Sequence, residues 1–95
     1  MTYKYEDERA NLFTEDGQVL FLAVRDAANQ LLTIAGAFKA DRALDAAVKK
    51  LGVATNWGAY AVLDRMVELD ELKEVTAKEK YFPGDRVFVK RNREA

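Results

Sequence analysis

Two pairs of carboxylates in this sequence have the residue types and the helical spacing of a possible metal-binding or catalytic site. Asp41 and Asp45 lie four positions apart, and so do Asp64 and Glu68. Because residues four apart share one face of an α-helix, either pair would suit a divalent cation, or an acid and a base acting together. The alternative is a solvated helix face on which charges of both signs are interspersed, and the pattern favours this second interpretation.

The side chains that the sequence lacks exclude several classes of catalytic and metal site. The sequence contains no His, no Cys and no Ser. A Ser–His or Cys–His couple, a thiolate metal site, a His-ligated zinc and a disulfide are therefore excluded. The five glycines are scattered and form no phosphate-binding loop. We therefore expect a protein that is not an enzyme, with no cofactor, no metal and no small-molecule substrate.

Composition predicts one soluble domain. The chain has 95 residues, of which 49% are hydrophobic and 33% are charged, which suits a folded domain and excludes a disordered chain. The longest apolar run, residues 19–24, is far shorter than the roughly 20 residues of a membrane helix. The first residues are acidic and include no apolar stretch, so we expect no signal peptide, no membrane contact and a cytoplasmic location.

Three stretches with a helical repeat of apolar residues follow an N-terminal arm, residues 1–13. The arm shows no clear period, and most of it is expected to be loose. The first helix is predicted over residues 14–35, the second over residues 40–51 and the third from residue 57 to about residue 69. Their polar positions fall on the opposite sides, as in helices that pack around one core.

Local signals predict where these helices begin and end. Thr14 is expected to be the N-cap of the first helix, and two acids follow it, at the positive end of the helix dipole. Gly36 and Gly52 are expected to end the first two helices. We predict that the third helix packs across the second through Ala47, Val48, Leu51, Leu63 and Met66.

The first helix carries more apolar surface than a small core needs. Phe21 and Leu32 widen its apolar stripe, and Leu22 falls on the opposite side of the helix. Either the N-terminal arm or another subunit is expected to cover this surplus, and we predict a homodimer or another protein partner bound through the first helix. Aromatic and apolar side chains favour such an interface, and the candidate interface residues are Phe21, Leu22, Leu32, Tyr81 and Phe82.

Two β-rich segments follow the third helix. Residues 72–76 and 86–90 are predicted to pair as an antiparallel hairpin with a long loop, in which residues 83–85, Pro-Gly-Asp, have the composition of a turn. The predicted fold class is therefore mainly α with a small antiparallel β-hairpin. The domain is expected to cover residues 14–90, between the N-terminal arm and a polar tail, residues 91–95.

The order of these elements, and the junction between the third helix and the hairpin, resemble the winged helix-turn-helix superfamily. In that superfamily, two apolar core residues three apart are followed by a tight turn, usually at a Gly, and then by an apolar residue that opens the wing. Leu63 and Met66 match the core pair, and Leu72 matches the strand opener. Asp70 replaces the usual Gly, and Asp tolerates the left-handed backbone better than most residues. The resemblance covers about residues 14–90 and implies a three-helix winged helix-turn-helix domain.

The resemblance also implies a DNA-binding surface. In winged-helix DNA binders, the start of the third helix enters the major groove, and the wing loop contacts the backbone or the minor groove. The residues at the corresponding positions here are Thr55, Asn56, Trp57, Gly58, Ala61 and Arg65 on the helix, and Lys78, Lys80 and Arg86 on the wing.

These candidate contacts also have structural interpretations. Thr55 and Asn56 are suited to cap the third helix. Trp57 is equally suited to cover the core, and Arg65 to pair with neighbouring acids. The two wing lysines flank an acidic residue and have the pattern of ordinary solubilising charges on a loop.

Charge leaves two function classes open. The net charge is −1, whereas a dedicated nucleic-acid domain is commonly basic. Residues 39–50 and 78–95 are nevertheless positive overall. We expect a small winged-helix module that binds double-stranded DNA, as transcription regulators do; the alternative is a winged-helix protein-interaction or scaffold module that does not bind DNA. A positive strip from Lys49 to Lys80 would favour DNA, and an apolar patch rimmed by mixed charge would favour a protein.

Overall fold

A computed structural model describes residues 3–52, 57–77 and 82–91 of the chain. In chain order the elements are α1 (Tyr5–Glu8), a 3₁₀ segment (Arg9–Phe13), α2 (Glu15–Ala35), β1 (Ala37–Lys39), α3 (Ala40–Leu51), α4 (Trp57–Glu68), β2 (Leu72–Glu74), a 3₁₀ turn (Pro83–Asp85) and β3 (Val87–Lys90). The first, second and third predicted helices are α2, α3 and α4, so the mainly α architecture is confirmed. Within these residues, no helix is long and apolar enough to cross a membrane.

The predicted ends of α2 and α3 are confirmed. The Thr14 hydroxyl accepts a hydrogen bond from the Gly17 amide at 3.1 Å, which caps the start of α2. Gly36 has a φ of 78° and Gly52 a φ of 69°, both in the left-handed region that favours glycine. Each of these glycines therefore ends its helix in the usual way.

Asp70, in the turn that follows α4, has the left-handed backbone conformation that Gly favours. Its φ is 60°. The Asp70 amide donates to the Val67 carbonyl at 3.0 Å, and the Glu71 amide donates to the Met66 carbonyl at 2.9 Å. These two bonds form a Schellman cap, which satisfies the last carbonyls of the helix. The chain then enters β2 directly, at the buried residue Leu72.

The sheet contains the predicted hairpin and one strand that the sequence analysis did not predict. β2 and β3 pair antiparallel, with Leu72 opposite Lys90. β1 pairs antiparallel with the other side of β3, so the strand order is β1-β3-β2. Phe38 of β1 lies opposite Phe88 of β3, and their rings stack with centroids 5.7 Å apart. This stacked pair joins the sheet to the helical core.

The hydrophobic core lies between α2, α3, α4 and the inner face of the sheet. Leu63 and Met66 are fully buried, and Ala47 is buried with them. Val48 and Leu51 are half-buried at the edge of the core. α3 and α4 contact one another, and both pack on the long helix α2, which is the centre of the domain.

The expectation of a loose arm is wrong for residues 5–13. These residues form α1 and the 3₁₀ segment, and Leu12 is buried in the core. The 3₁₀ segment approaches the start of α2 so closely that a Cβ atom at Gly17 would lie 1.8 Å from the carbonyl oxygen of Asn11. The arm folds because it has this surface, and the side of α4, to pack against.

Candidate binding surfaces

The N-terminal arm packs against the side of α4 that a DNA-reading helix would present and covers part of it. We call this side the α4 outer face; it consists of Trp57, Ala61, Asp64, Arg65 and Glu68. The Tyr3 hydroxyl donates to the Asp64 carboxylate, and the Tyr3 ring lies 6.3 Å from the Trp57 ring, edge-on, between ring centroids. The resemblance nominated Ala61 for contact with DNA, but Ala61 is fully buried. It lies on the helix between Trp57 and Asp64, the two residues that Tyr3 contacts.

At the far end of the α4 outer face, Glu68 accepts hydrogen bonds from three side chains. The Tyr5 hydroxyl donates to it, and its carboxylate lies 3.2 Å from Arg9 and 3.0 Å from Arg65. The hydrogen bond from Tyr5 is the main reason that the pKa of Glu68 is lowered to about 2, and the bonds from Arg65 and Arg9 add to it. Burial, followed by the bond to Glu68, raises the pKa of Tyr5 to about 12. Arg65 therefore pairs with an acid of its own helix.

Arg86 is the centre of an ion-pair network beneath the hairpin. The resemblance nominated Arg86 as a wing contact for DNA, but its side chain lies against acids of α4 and β2. The guanidinium lies 2.6 Å from Asp64 and 2.7 Å from Glu74, and it is 5.0 Å from the centroid of the Phe88 ring. Burial disfavours its charge, but the hydrogen bonds to Glu74 and Asp64 outweigh burial and raise the pKa of Arg86. Its charge is already satisfied within the domain.

The other nominated DNA contacts are spread between the start of α4 and segments outside the described residues. Trp57 and Gly58 are half-buried at the start of α4. The nominated residues that lie outside the described ranges are Thr55, Asn56, Lys78 and Lys80, and the interface candidate Tyr81 lies there too.

An apolar patch is exposed beside the arm. It consists of Phe13, Phe21, Leu22 and Leu69. Phe13, Phe21 and Leu69 line one shallow depression together with Arg65, and Leu22 is 61% exposed on the neighbouring turns of α2. Phe13 and Leu69 could not be predicted as part of this patch, because no local sequence pattern brings the end of the arm next to the end of α4.

Arginines surround the apolar patch, and their charges are balanced by acids. Arg9 and Arg65 lie over the Phe13 ring at 5.3 Å and 5.4 Å from its centroid, and both pair with Glu68. Arg25 lies 5.9 Å from the centroid of the Phe21 ring and pairs, at 2.8 Å, with an acid at the start of the hairpin. The patch is therefore rimmed by charges of both signs.

The remaining interface candidates do not form one surface. Leu32 is half-buried and packs against the core. Phe82, beside the hairpin loop, is largely exposed, and Ile34, at the far end of α2, is 81% exposed. Ile34 belongs to the apolar surplus of the first helix, but the arm does not reach it. A dimer through this helix stays a prediction.

Three of the four carboxylates in the predicted pairs, Asp41, Asp64 and Glu68, have partners within the domain. Asp64 and Glu68 bind the tyrosines and arginines described above. Asp41 packs against Gly84 so closely that a Cβ atom there would lie 2.0 Å from its carboxylate oxygen, and it accepts a hydrogen bond from Tyr60 at 3.4 Å. Among the residues that the structure describes, no group of three or more His, Cys, Asp or Glu side chains is placed to hold a metal ion.

Comparisons with known proteins found no matching family model, no matching curated protein and no matching solved structure. The function must therefore be argued from the surfaces of the domain. In the described ranges these are the partly covered outer face of α4, the apolar patch with its mixed charged rim, and the basic residues of α3.

Proposed function

We propose that this chain is a small, non-enzymatic winged-helix module whose ligand is another protein. The winged-helix part of the proposal is supported by the order of three helices and an antiparallel hairpin. It is also supported by Asp70, which takes the left-handed conformation at the turn where the winged-helix superfamily usually has Gly. A fold of this kind serves many functions, so the ligand has to be argued from the surface.

The observation that carries the choice of a protein over DNA is the position of the arm. Tyr3 and Tyr5 occupy the acidic groups of the α4 outer face, and Glu6 and Asp7 add exposed negative charge to the arm itself. A duplex that approached α4 from this side would meet acids where it needs cations. Arg86, the one described wing residue nominated for phosphate contact, is held by Asp64 and Glu74.

The apolar patch has the character of a protein interface. Its centre is apolar and aromatic, and its rim carries paired charges of both signs. Such a surface suits a partner that presents an apolar side chain inside a polar ring, because burial of the centre supplies affinity and the rim supplies specificity. Leu22 is its most exposed member and is expected to be fully buried by the partner.

A capture experiment with a matched control tests the proposal. Immobilised wild-type protein is compared with Leu22→Asp, which places a charge in the patch, and with Val75→Asp, which places the same charge at an exposed apolar residue after β2. We expect extract of the source cell to yield a protein that wild type and Val75→Asp retain and that Leu22→Asp loses. If Leu22→Asp retains the same proteins as wild type, the patch is not the interface.

DNA remains the second candidate because α3 carries exposed cations. Arg42 and Lys49 are exposed on this helix, and the six ion pairs formed by described residues do not include them. Titration of a mixed-sequence duplex at several salt concentrations distinguishes the two functions. Binding at low salt that Arg42→Glu weakens and Leu22→Asp does not would replace the protein proposal by the DNA one.

A further inference from the structure

The outer edge of β1 has backbone groups that no described strand pairs. β1 stands at the end of the strand order, with β3 on one side only. In an antiparallel pair, successive residues alternate between facing the neighbour and facing away. The Ala40 amide donates to the Arg86 carbonyl at 2.8 Å, so Ala40 and Phe38 face β3. Both backbone groups of Ala37 and the N–H of Lys39 therefore point to the open edge, whereas the C=O of Lys39, the N-cap of α3, accepts the first hydrogen bond of that helix.

An apolar groove runs beside this edge. It has a volume of about 420 Å³ and opens to solvent. The last turns of α2 supply Leu31 and Ala35 to its wall, and Val87 of β3 supplies the sheet side. The groove is large enough for one large apolar side chain. A side chain bound there would be removed from water and would pack against three apolar residues.

Two positively charged side chains also belong to this groove. Lys39 and Arg42 line it, and both are exposed. Neither belongs to any of the six ion pairs that the described residues form, in which a nitrogen lies within 4.0 Å of an acidic oxygen. By contrast, Arg9, Arg25, Arg65 and Arg86 each have an acidic partner. Within the described ranges, no acid pairs with these two cations, so their positive charge can attract a negatively charged ligand.

We infer that β1 binds an extended acidic peptide segment of a partner protein as an added strand. Backbone bonds to Ala37 and Lys39 supply the pairing, one apolar side chain of the peptide enters the groove, and an acidic group of the peptide meets Lys39 and Arg42. A lysine on a short edge strand also discourages pairing with other chains. That role alone does not account for the groove, nor for the second cation beside it. This site lies on a different part of the domain from the apolar patch and does not depend on the proposed function.

Selection from a random seven-residue peptide library displayed on phage, with the folded full chain as target, tests the inference. We expect enriched peptides that combine an acidic residue with apolar residues at alternate positions. Synthetic copies of these peptides should bind wild type about tenfold or more tightly than Arg42→Glu, because the substitution turns an attractive charge pair into a repulsive one. Arg42→Lys, which keeps the charge, and Lys49→Glu, at the far end of α3, should bind like wild type.

Hydrogen exchange measured by NMR checks that the peptide pairs with the strand. The amides of Ala37 and Lys39 should exchange fast in the free protein and become protected when the peptide binds, while the already paired amide of Ala40 changes little. The inference is overturned if no peptide is enriched, if the enriched peptides bind Arg42→Glu as tightly as wild type, or if protection appears elsewhere. Leu22→Asp should retain peptide binding in full, so a failure of this site is distinguishable from a failure of the apolar patch.

Discussion

The guanidinium of Arg86 meets the carboxylate of Asp64 at 2.6 Å, and the two side chains are only 16% and 18% exposed. The contact joins the residue just before β3 to α4, and Glu74 and Tyr3 bind the same pair from β2 and from the arm. Four separate parts of the chain therefore meet at one ion pair. Its contribution to stability is expected to be larger than that of an ion pair on the open surface, which is commonly worth about 1 kcal/mol or less.

Removal of Arg86 is predicted to destabilise the domain strongly. Arg86→Leu leaves the mostly buried carboxylate of Asp64, and the more exposed carboxylate of Glu74 beside it, without a counter-charge, and the free energy of unfolding should fall by about 3 kcal/mol. Urea denaturation followed by circular dichroism measures the change. Arg91→Leu, at an exposed residue just after β3, is the matched control and should stay within about 0.5 kcal/mol of wild type. Equal effects of the two substitutions would contradict the structural role of Arg86.

The arm contact at Glu68 is predicted to weaken in acid. A carboxyl whose pKa is lower in the folded protein contributes stability that is fully present above its unfolded value and is lost as the pH falls through the folded value. For Glu68 this window runs from 4.5 down to about 2. The stability difference between wild type and Glu68→Gln should therefore shrink as the pH falls through that range.

Tyr5 gives an independent readout of the same contact. Tyr5→Phe removes the hydrogen bond that lowers the pKa of Glu68 most, so the carboxyl should titrate at a higher pH in this variant. NMR of the Glu68 carboxyl carbon measures the midpoint directly. An unchanged midpoint would mean that Tyr5 does not bind Glu68 in solution.

The backbone at Asp70 makes opposite predictions for two substitutions. Asp70 has a φ of 60°, which costs an ordinary L-residue about 1–2 kcal/mol and costs Gly little. Asp70→Gly is expected to raise the free energy of unfolding by up to about 1 kcal/mol, also because it removes an acid from the negative end of α4. Asp70→Val should lower it by about 1–2 kcal/mol, since β-branched residues tolerate this conformation poorly. Thermal unfolding of both variants tests the turn, and a stabilised Val variant would exclude it.

The core position of Leu63 predicts the cost of truncation. Leu63 is fully buried where α4 packs into the domain. Leu63→Ala should lower the free energy of unfolding by about 2–5 kcal/mol, because it leaves a cavity in a small core. Leu22→Ala, at the exposed apolar patch, should change it by no more than about 0.5 kcal/mol. A similar loss at both positions would mean that Leu22 is covered in solution, for example by a second copy of the chain.

Features that depend on neighbouring residues could be predicted from the sequence. Thr14, Gly36 and Gly52 act within one helical turn of their own positions, and the 3.6-residue repeat places Leu63 and Met66 in the core. β1 was not predictable in this way, because three residues between Gly36 and a helix are too few to show a strand period.

Features that depend on distant residues could not be predicted in the same way. The burial of Ala61 and the pairing of Arg86 were misjudged because they require the arm and Asp64 to be in place. Tyr3 and Asp64 are 61 positions apart, and Arg86 and Asp64 are 22 positions apart. No local pattern of residue types indicates such contacts. The sequence could therefore predict which helix positions belong to the candidate site, but not whether another part of the chain covers them.

The docking of the arm on α4 has a consequence for the order in which the chain folds. Tyr3 and Tyr5 bind residues 61 and 63 positions further along, so during synthesis the arm emerges before the part of α4 that it binds. At typical elongation rates of 5–20 residues per second, this delay is about 3–12 seconds. Closing so long a loop is slow compared with forming α2 or α3. Although it is made before α4, the arm is therefore among the last segments of the domain to reach its native contacts, and the outer face of α4 is open until the arm has docked.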